Sequence, residues 1–245
     1  MRYAIISDIH SNLEALEAVL KEADRLGAER IFCLGDIVGY NANPNECVEL
    51  IKKHNITAVM GNHDSRVAEL EEPTDFNPIA QEAVLWTRHV ITEKHKEFLK
   101  SLPRHHIEEE AGFMCVHGWI DSTDSYIFSE LEAEYNFRLM EIESLPRVVF
   151  FGHTHVRIAY TKKDGFISST LSNPLKLEED TLYLINPGSV GQPRDGDTRS
   201  SFLIYDTSTA VVTFHRVGYD IESCVEKIKK AGLPPQLWQR LQQGW

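Results

Sequence analysis

Paired cysteines, long apolar runs and a surplus of positive charge are all missing from this sequence. Its four cysteines, Cys33, Cys47, Cys115 and Cys224, form no CxxC pair and are too sparse in 245 residues for a disulfide scaffold. Cys33 and Cys115 lie inside apolar runs and are expected as reduced core residues. No apolar run approaches the roughly 20 residues of a membrane helix. The N-terminus, Met1-Arg2-Tyr3-Ala4-Ile5-Ile6, reaches Asp8 before a secretory core could form. A cytoplasmic location with no membrane partner is therefore expected. Lys and Arg number 25 against 37 Asp and Glu, a formal net charge of -12. Such a chain repels nucleic acid and anionic lipid unless a local positive site overrides the field. If the substrate is anionic, bound metal ions are the natural source of that charge.

What is present is an ordinary globular composition, 42% hydrophobic and 25% charged, long enough for one large domain or two small ones. Five short apolar runs share one design. Tyr3 to Ile6 leads to Asp8, Ile31 to Leu34 through Gly35 to Asp36, and Ile56 to Met60 through Gly61 to Asn62 and His63. Phe113 to Val116 leads to His117, and Val148 to Phe151 through Gly152 to His153. Runs this short, rich in branched and aromatic residues, predict buried strands. In open α/β sheets ligands bind beyond the carboxyl ends of the strands, so five strand ends carrying metal-binding residue types mark one site. The glycines that precede three of these residues are expected to let the backbone turn tightly.

Helical spacing appears between the early strands. Ser11-x-x-Glu14 predicts a capping box ahead of Leu13, Leu16, Val19, Leu20 and Ala23. Pro44 opens a second helix, and one long stretch from Asn77 to Leu102 predicts a third, ended by Pro103. After about Phe150 strands dominate, at Val156 to Thr161, Leu182 to Ile185, Phe202 to Tyr205 and Val211 to Arg216. Helices return at Ile221 to Ala231 and around Leu237. The order predicts two packed sheets with helices outside. The acidic, aromatic-dotted segment from Asp121 to Ser144 reads either as a helical excursion over the site or as a solvated surface helix.

Asp8, His10, Asp36, Asn62, His117, His153 and His155 are the candidate metal ligands. Imidazole nitrogen combined with carboxylate and amide oxygen suits divalent Mn, Fe, Zn, Co or Ni, with Mn placed first. Asp36 is the carboxylate best suited to bridge two ions. Two divalent ions bring about +4; two carboxylates and a hydroxide remove about 3, leaving about +1 to face a phosphate. His63, with Asp64 beside it, is expected to stabilise charge on the phosphoryl group or to protonate the leaving oxygen, Asp64 orienting the ring.

Asp8-Ile9-His10, Gly35-Asp36, Gly61-Asn62-His63-Asp64, His117-Gly118 and Gly152-His153-Thr154-His155 together resemble the five motifs of the calcineurin-like metallophosphoesterase superfamily. The resemblance implies a four-layer αββα sandwich of two mixed sheets flanked by helices, an α/β (α+β) fold, with residues 1–245 as a single metallophosphoesterase domain. It implies one metal at Asp8, His10 and His155, another at Asn62, His117 and His153, and Asp36 between them. Attack in line by a metal-bridging hydroxide would then cleave a small phosphate ester. The Asn186-Pro187-Gly188-Ser189 turn is similar to that of the small bacterial and archaeal branch, whose members hydrolyse phosphodiesters or monoesters. Protein serine/threonine phosphatases of the superfamily follow their second motif with an arginine, where this chain has Tyr40.

Arg194, soon after that turn, is the candidate replacement for gripping phosphate, against a reading in which it merely pairs with Asp195 or Asp197; Tyr40 is a candidate for the substrate rim. A phosphomonoesterase or protein phosphatase is the alternative within the fold, and a non-catalytic interaction scaffold the alternative outside enzymes, although a scaffold would be expected to have lost ligands. The acidic charge and the lack of a basic or aromatic stripe argue against a nucleic-acid polymer as substrate.

Overall fold

A computed structural model describes all 245 residues. Strands β1 (Arg2–Ile6), β2 (Arg30–Cys33) and β3 (Thr57–Ala58) run parallel and are joined by helices α1 (Leu13–Arg25) and α2 (Pro44–Lys53). Helix α3 (Asn62–Val67) follows β3, and α4 (Pro78–Val90) and α5 (Glu93–Lys100) lead to the second sheet. That sheet begins with β4 (His105–Glu108), β5 (Phe113–Val116), helix α6 (Glu130–Ile142) and β6 (Val148–Phe150). Next come β7 (Arg157–Lys163), β8 (Phe166–Thr170), β9 (Leu175–Lys176), β10 (Leu182–Pro187), β11 (Ser200–Asp206) and β12 (Val211–Val217). Helices α7 (Ile221–Lys230) and α8 (Pro235–Gln243) end the chain. One six-stranded sheet has the order β3-β2-β1-β11-β12-β9, the other β4-β5-β6-β10-β7-β8. Both are mixed, and each contains three parallel neighbours: β1, β2 and β3 in the first, β5, β6 and β10 in the second.

The two-residue period of a strand sorts side chains into three apolar layers. Tyr3, Ile5, Phe32, Phe113, Phe150, Ile185 and Leu203 fill the space between the sheets. Their neighbours Ala4, Ile6, Cys33 and Phe202 face outward under α1 and α2, against Leu16, Val19, Val48 and Ile51. Met114, Val116, Val149 and Leu184 face the other way, under Ala133, Phe137 and Met140 of α6. The result is the expected four-layer αββα sandwich. All four cysteines are free and buried, and no helix is long and apolar enough to cross a membrane.

Two local expectations need correction and one open alternative is decided. Ser11 does not cap α1: its φ of +58° is left-handed, and Asn12 caps instead, its Oδ1 accepting from the Ala15 N–H. The stretch from Asn77 to Leu102 is two helices. Ile91 is extended, and Thr92 accepts from the His95 N–H to start α5. Helix α6 lies on the outer face of its sheet, not over the strand ends. Of the Asp121–Ser144 segment, the loop ahead of α6 is the part that reaches the site.

Phe113 is fully buried among Tyr3, Phe32, Phe150 and Tyr205 at ring-centroid distances of 5.1–6.1 Å. Phe113→Ala should destabilise the fold by about 3–5 kcal/mol. Phe166→Ala, at an exposed hairpin tip, should change stability by no more than about 0.5 kcal/mol. Urea unfolding of the two variants checks both.

Candidate metal centre

Both parallel trios end at one edge of the sandwich, and the loops leaving them carry the polar residues. Asp8 follows β1, Asp36 follows β2, His117 follows β5, and His153 and His155 follow β6. The loop after β10 ties the two sheets together there. Val190 and Gly191 donate N–H bonds to the carbonyls of Ser7 and Asp8, the Ser189 hydroxyl donates to the Asp8 carbonyl, and Asn186 Nδ2 donates to the Gly152 carbonyl. Asp8, His10, Asp36, Tyr40, His153 and His155 all hold left-handed backbone, with φ from 49° to 67°. Each such residue costs about 1–3 kcal/mol, a strain that collects at functional sites. Gly35 turns with a φ of +95°, as expected, whereas Gly61 and Gly152 serve close approach. A Cβ on Gly61 would strike the Asp36 carboxylate, and one on Gly152 the Ser7 hydroxyl.

Asp8, His10 and His155 form one group of possible ligands, and Asp36, His117 and His153 a second; within each, the donor atoms lie within 4.8 Å of one another. Asp36 stands between the groups, its Oδ2 3.5 Å from His10 Nε2 and 3.3 Å from His117 Nε2. Its Oδ1 accepts from the His63 N–H at 2.8 Å. The imidazole tautomers follow from their outer partners. His10 Nδ1 meets the Val38 carbonyl at 3.2 Å, His117 Nδ1 the Leu34 carbonyl at 2.8 Å and His155 Nδ1 the Gln192 carbonyl at 2.6 Å. His153 reaches the Asp124 carbonyl through Nε2 at 3.2 Å. A carbonyl oxygen only accepts, so these nitrogens carry the protons, and in the neutral rings the opposite ones carry lone pairs.

The lone-pair nitrogens His10 Nε2 and His155 Nε2 face each other at 3.0 Å, and the His153 Nδ1 lone pair faces His117 Nε2 at 3.2 Å. Two lone pairs at such distances repel unless a cation lies against both. The carbonyl-held N–H is also the usual way a protein orients a ligating histidine. Asn62 Oδ1 is buried with no hydrogen-bond partner, a third acceptor suited to a cation. The donor set therefore fits divalent metal ions. The electrostatics agree. Burial pushes His10, His153 and His155 well below the usual imidazole range, so these rings are neutral. Burial and the neighbouring Asp36 charge raise Asp8 to about 7. Burial also opposes charge on Asp36, but His117, His63 and His10 outweigh it and hold the carboxyl well below its usual range. His117 goes the other way: burial lowers it, yet Asp36 carries it up to about 9. In the absence of metal, the Asp36 charge thus draws a proton to His117 where a metal ion would serve both groups.

His63 is buried between Tyr40 and Phe76, with ring centroids at 4.4 and 4.8 Å, and can join His10 and Asp36 in a third group. Asp64 does not orient it. The Asp64 carboxylate accepts from the N–H groups of Ile37, Val38 and Gly61 at 2.9, 3.2 and 3.0 Å. It clamps the loop that presents Asp36 and caps the start of α3. Arg194 pairs with neither Asp195 nor Asp197, which engage Arg216 and Arg199. Its guanidinium lies 5.8 Å from the centre of the Tyr40 ring and bonds Gln192 Oε1 at 3.1 Å. Phe76, Asp124 and Tyr126 also belong to the site; Asp124 and Tyr126 lie in the segment that one reading of the sequence set over it, whereas the sequence around Phe76 gives no sign. Tyr126 stacks on His153 at 3.9 Å and 15°, and Asp124 acts through its backbone carbonyl.

Comparison with known proteins identifies the family. Residues 1–210 match the model of the calcineurin-like phosphoesterase superfamily domain. The uncharacterized protein MJ0912 of Methanocaldococcus jannaschii is 42% identical over 97% of this chain and 96% of its own. The phosphodiesterase YfcE of Escherichia coli K12 is 24% identical over 88% and 93%. The structure of a metallophosphoesterase from Sphaerobacter thermophilus superposes with a TM-score of 0.85 at 38% identity, covering 100% of this chain and 99% of that one.

If cations relieve the facing lone pairs, they must also stabilise the fold. At a hundredfold excess over Kd, Mn²⁺ added to chelator-treated protein should raise the unfolding free energy by about 2.7 kcal/mol per site. His155→Ala should lose one site's share. A Tm that does not respond to Mn²⁺, Fe²⁺, Zn²⁺, Co²⁺ or Ni²⁺ would contradict the assignment.

Proposed function

The chain belongs to the calcineurin-like phosphoesterase superfamily and is a phosphoric ester hydrolase, and we propose that it uses two divalent transition-metal ions, manganese first among them, to cleave a small phosphodiester of nucleotide type. The observation that carries the proposal is the pair of facing imidazole couples on either side of Asp36. Asp8, His10 and His155 would hold one ion, and Asn62, His117 and His153 the other, with Asp36 shared. Ions so placed would supply positive charge to phosphoryl oxygens and lower the pKa of bound water toward neutrality.

The remaining tasks fall to the protein. Burial, aided by the charge of Arg194, lowers the His63 pKa to about 4 against the opposing pull of Asp36. The ring is neutral at physiological pH and acts as a hydrogen-bond donor to the phosphoryl or leaving oxygen, not as a stored proton. Arg194, free of a carboxylate partner, is placed to grip a non-bridging oxygen, and Tyr40 supports it from below. The diester reading is supported by the relation to a phosphodiesterase. The whole of 1–245 is proposed to act as one domain: Leu237 and Leu241 of α8 and Cys224 and Ile228 of α7 share an apolar cluster with Tyr40. Intact donors speak against a non-catalytic scaffold. Four buried, unpaired cysteines accord with a reducing, cytoplasmic setting.

Nitrophenolate release from bis- and mono-nitrophenyl phosphate, with chelated protein and with Mn²⁺ restored, tests the proposal. Turnover should require the metal and favour the diester; preference for the monoester would reverse the substrate assignment. His63→Ala should lower kcat by about 10²–10⁴ with metal content unchanged. His63→Asn, which keeps a donor, should recover part of that loss; loss of metal in either variant would instead make His63 a ligand.

A further inference from the structure

Most arginines of this chain end on a carboxylate, as Arg2, Arg30, Arg66, Arg88, Arg199 and Arg216 do. Arg147 and Arg157 donate instead to the backbone carbonyls of Glu178 and Leu171. Arg240 differs from all of these, because its side chain makes neither an ion pair nor a hydrogen bond. In a chain with 37 acidic side chains and 25 basic ones, an arginine without a carboxylate is the exception. Its own helix, α8, carries no acidic residue to meet it one turn away.

The packing of α8 brings Arg240 beside Arg194. Leu237 and Leu241 lie buried in one apolar cluster with Tyr40, and Arg240 flanks that stripe, half-buried. Trp238, on the opposite flank, takes Lys229 of α7 over its ring at 4.3 Å, so α7 lies on that side. The end of α8 is tied to the loop that bears Arg194, since the Gly196 N–H donates to the Gly244 carbonyl at 2.9 Å. Arg194 lies over the Tyr40 ring at 5.8 Å. Burial and then the Arg194 charge lower the Arg240 pKa, against Tyr40, as two neighbouring guanidinium groups require.

Donors outnumber acceptors around this pair. Arg194 Nε is buried without a partner. Gln192, fully buried, gives its Oε1 to Arg194, and its Nε2 has no acceptor. Asp195 and Asp197 offer none, being engaged by Arg216 and Arg199. Two like charges among unmet N–H groups repel until an anion lies between them. The metal centre already accounts for one anionic group. Arg194 stands against that centre, its charge acting on Asp8, His10, His63 and His155, and Arg240 stands behind it on α8.

We infer that Arg240 and Arg194 form a second anion subsite, which takes a phosphate group of the substrate other than the one held at the metal centre. The substrate class narrows to small esters that carry two phosphate groups on one molecule, and Arg240 distinguishes them from esters that carry one. The inference rests on the two-metal reading above for the place of the first phosphate.

Calorimetric binding to the full-length, Mn²⁺-loaded protein tests the subsite without turnover. The probes are alkanediol bisphosphates of graded length, each compared with the monophosphate of the same alkanediol at one ionic strength. At least one bisphosphate should bind about tenfold more tightly than its monophosphate, the effect of one charge-assisted hydrogen bond. In Arg240→Gln that ratio should fall to within about twofold. Arg240→Lys keeps the charge but not the planar fork and should retain part of the preference. Lys230→Gln removes the same charge from an exposed position at the end of α7 and should leave the ratio unchanged. Equal affinity of mono- and bisphosphates for the unmodified protein would overturn the subsite. So would a preference that survives Arg240→Gln, or one that falls equally in Lys230→Gln. Mn²⁺ titration of the same samples keeps the two readings apart. Protein that takes up no Mn²⁺ yet shows an Arg240-dependent preference would fault the metal reading and leave the subsite standing.

Discussion

Asp36 is the group on which the site depends. A fully buried carboxylate is expensive in a protein interior unless charge or donors meet it. This one is met on one side by the His63 N–H and on the other by His117. Asp36 follows a strand of the first sheet and His117 one of the second, so their attraction joins the two halves of the sandwich at the edge where their parallel strands end. The pull that holds Asp36 ionised is also what raises His117 while its neighbouring imidazoles are driven neutral. Any cation that binds here inherits a place already defined by that charge.

Holding such a group in place requires backbone that the chain would not adopt alone. The left-handed residues around the site are bound by hydrogen bonds from segments distant in sequence. Asp64 grips Ile37 and Val38, Asn12 Nδ2 reaches the Gly191 carbonyl, and Ser189 reaches Asp8. The Asn186-Pro187-Gly188-Ser189 turn is thus a staple between the sheets, not a part of the reacting surface. Gly191 stands where a Cβ would collide with the Ile9 carbonyl, so the staple closes only with glycine there.

The fold and the gathering of the candidate ligands at one edge were legible because both are written in local pattern. Alternating apolar runs define strands, and the residue after each run marks the strand end, so Asp8, Asp36, His117 and His153 could be placed without knowing which strands pair. What escaped was decided by contacts across the chain. Asp64 sits beside His63 in sequence, but α3 turns its carboxylate back toward the Asp36 loop. The break between α4 and α5 leaves little trace in an apolar periodicity that runs through it, and Thr92 is visible as a cap only once the backbone at Ile91 is known to be extended. Ser11 and Asn12 are both good capping residues, and the left-handed turn that presents His10 decides between them. Asp124 was invisible because it works through its carbonyl, which every residue possesses.

The same long-range logic explains how a chain with a net charge of -12 can face an anion at all. Arg194 is flanked by Asp195 and, three residues on, Asp197, and local sequence alone would neutralise it. Arg216 on β12 takes Asp195, and Arg199 takes Asp197, so the two nearby carboxylates are satisfied from the side away from the metal centre. Tyr40 then carries the freed guanidinium on its ring, beside His10 and His63. The protein's acidity is general, whereas its available positive charge is local: one arginine relieved of its neighbours, opposite a cluster of neutral nitrogens and buried oxygens that favours cations. Distance makes the difference effective, because the exposed carboxylates are screened by salt over about 8–10 Å while the buried centre is not.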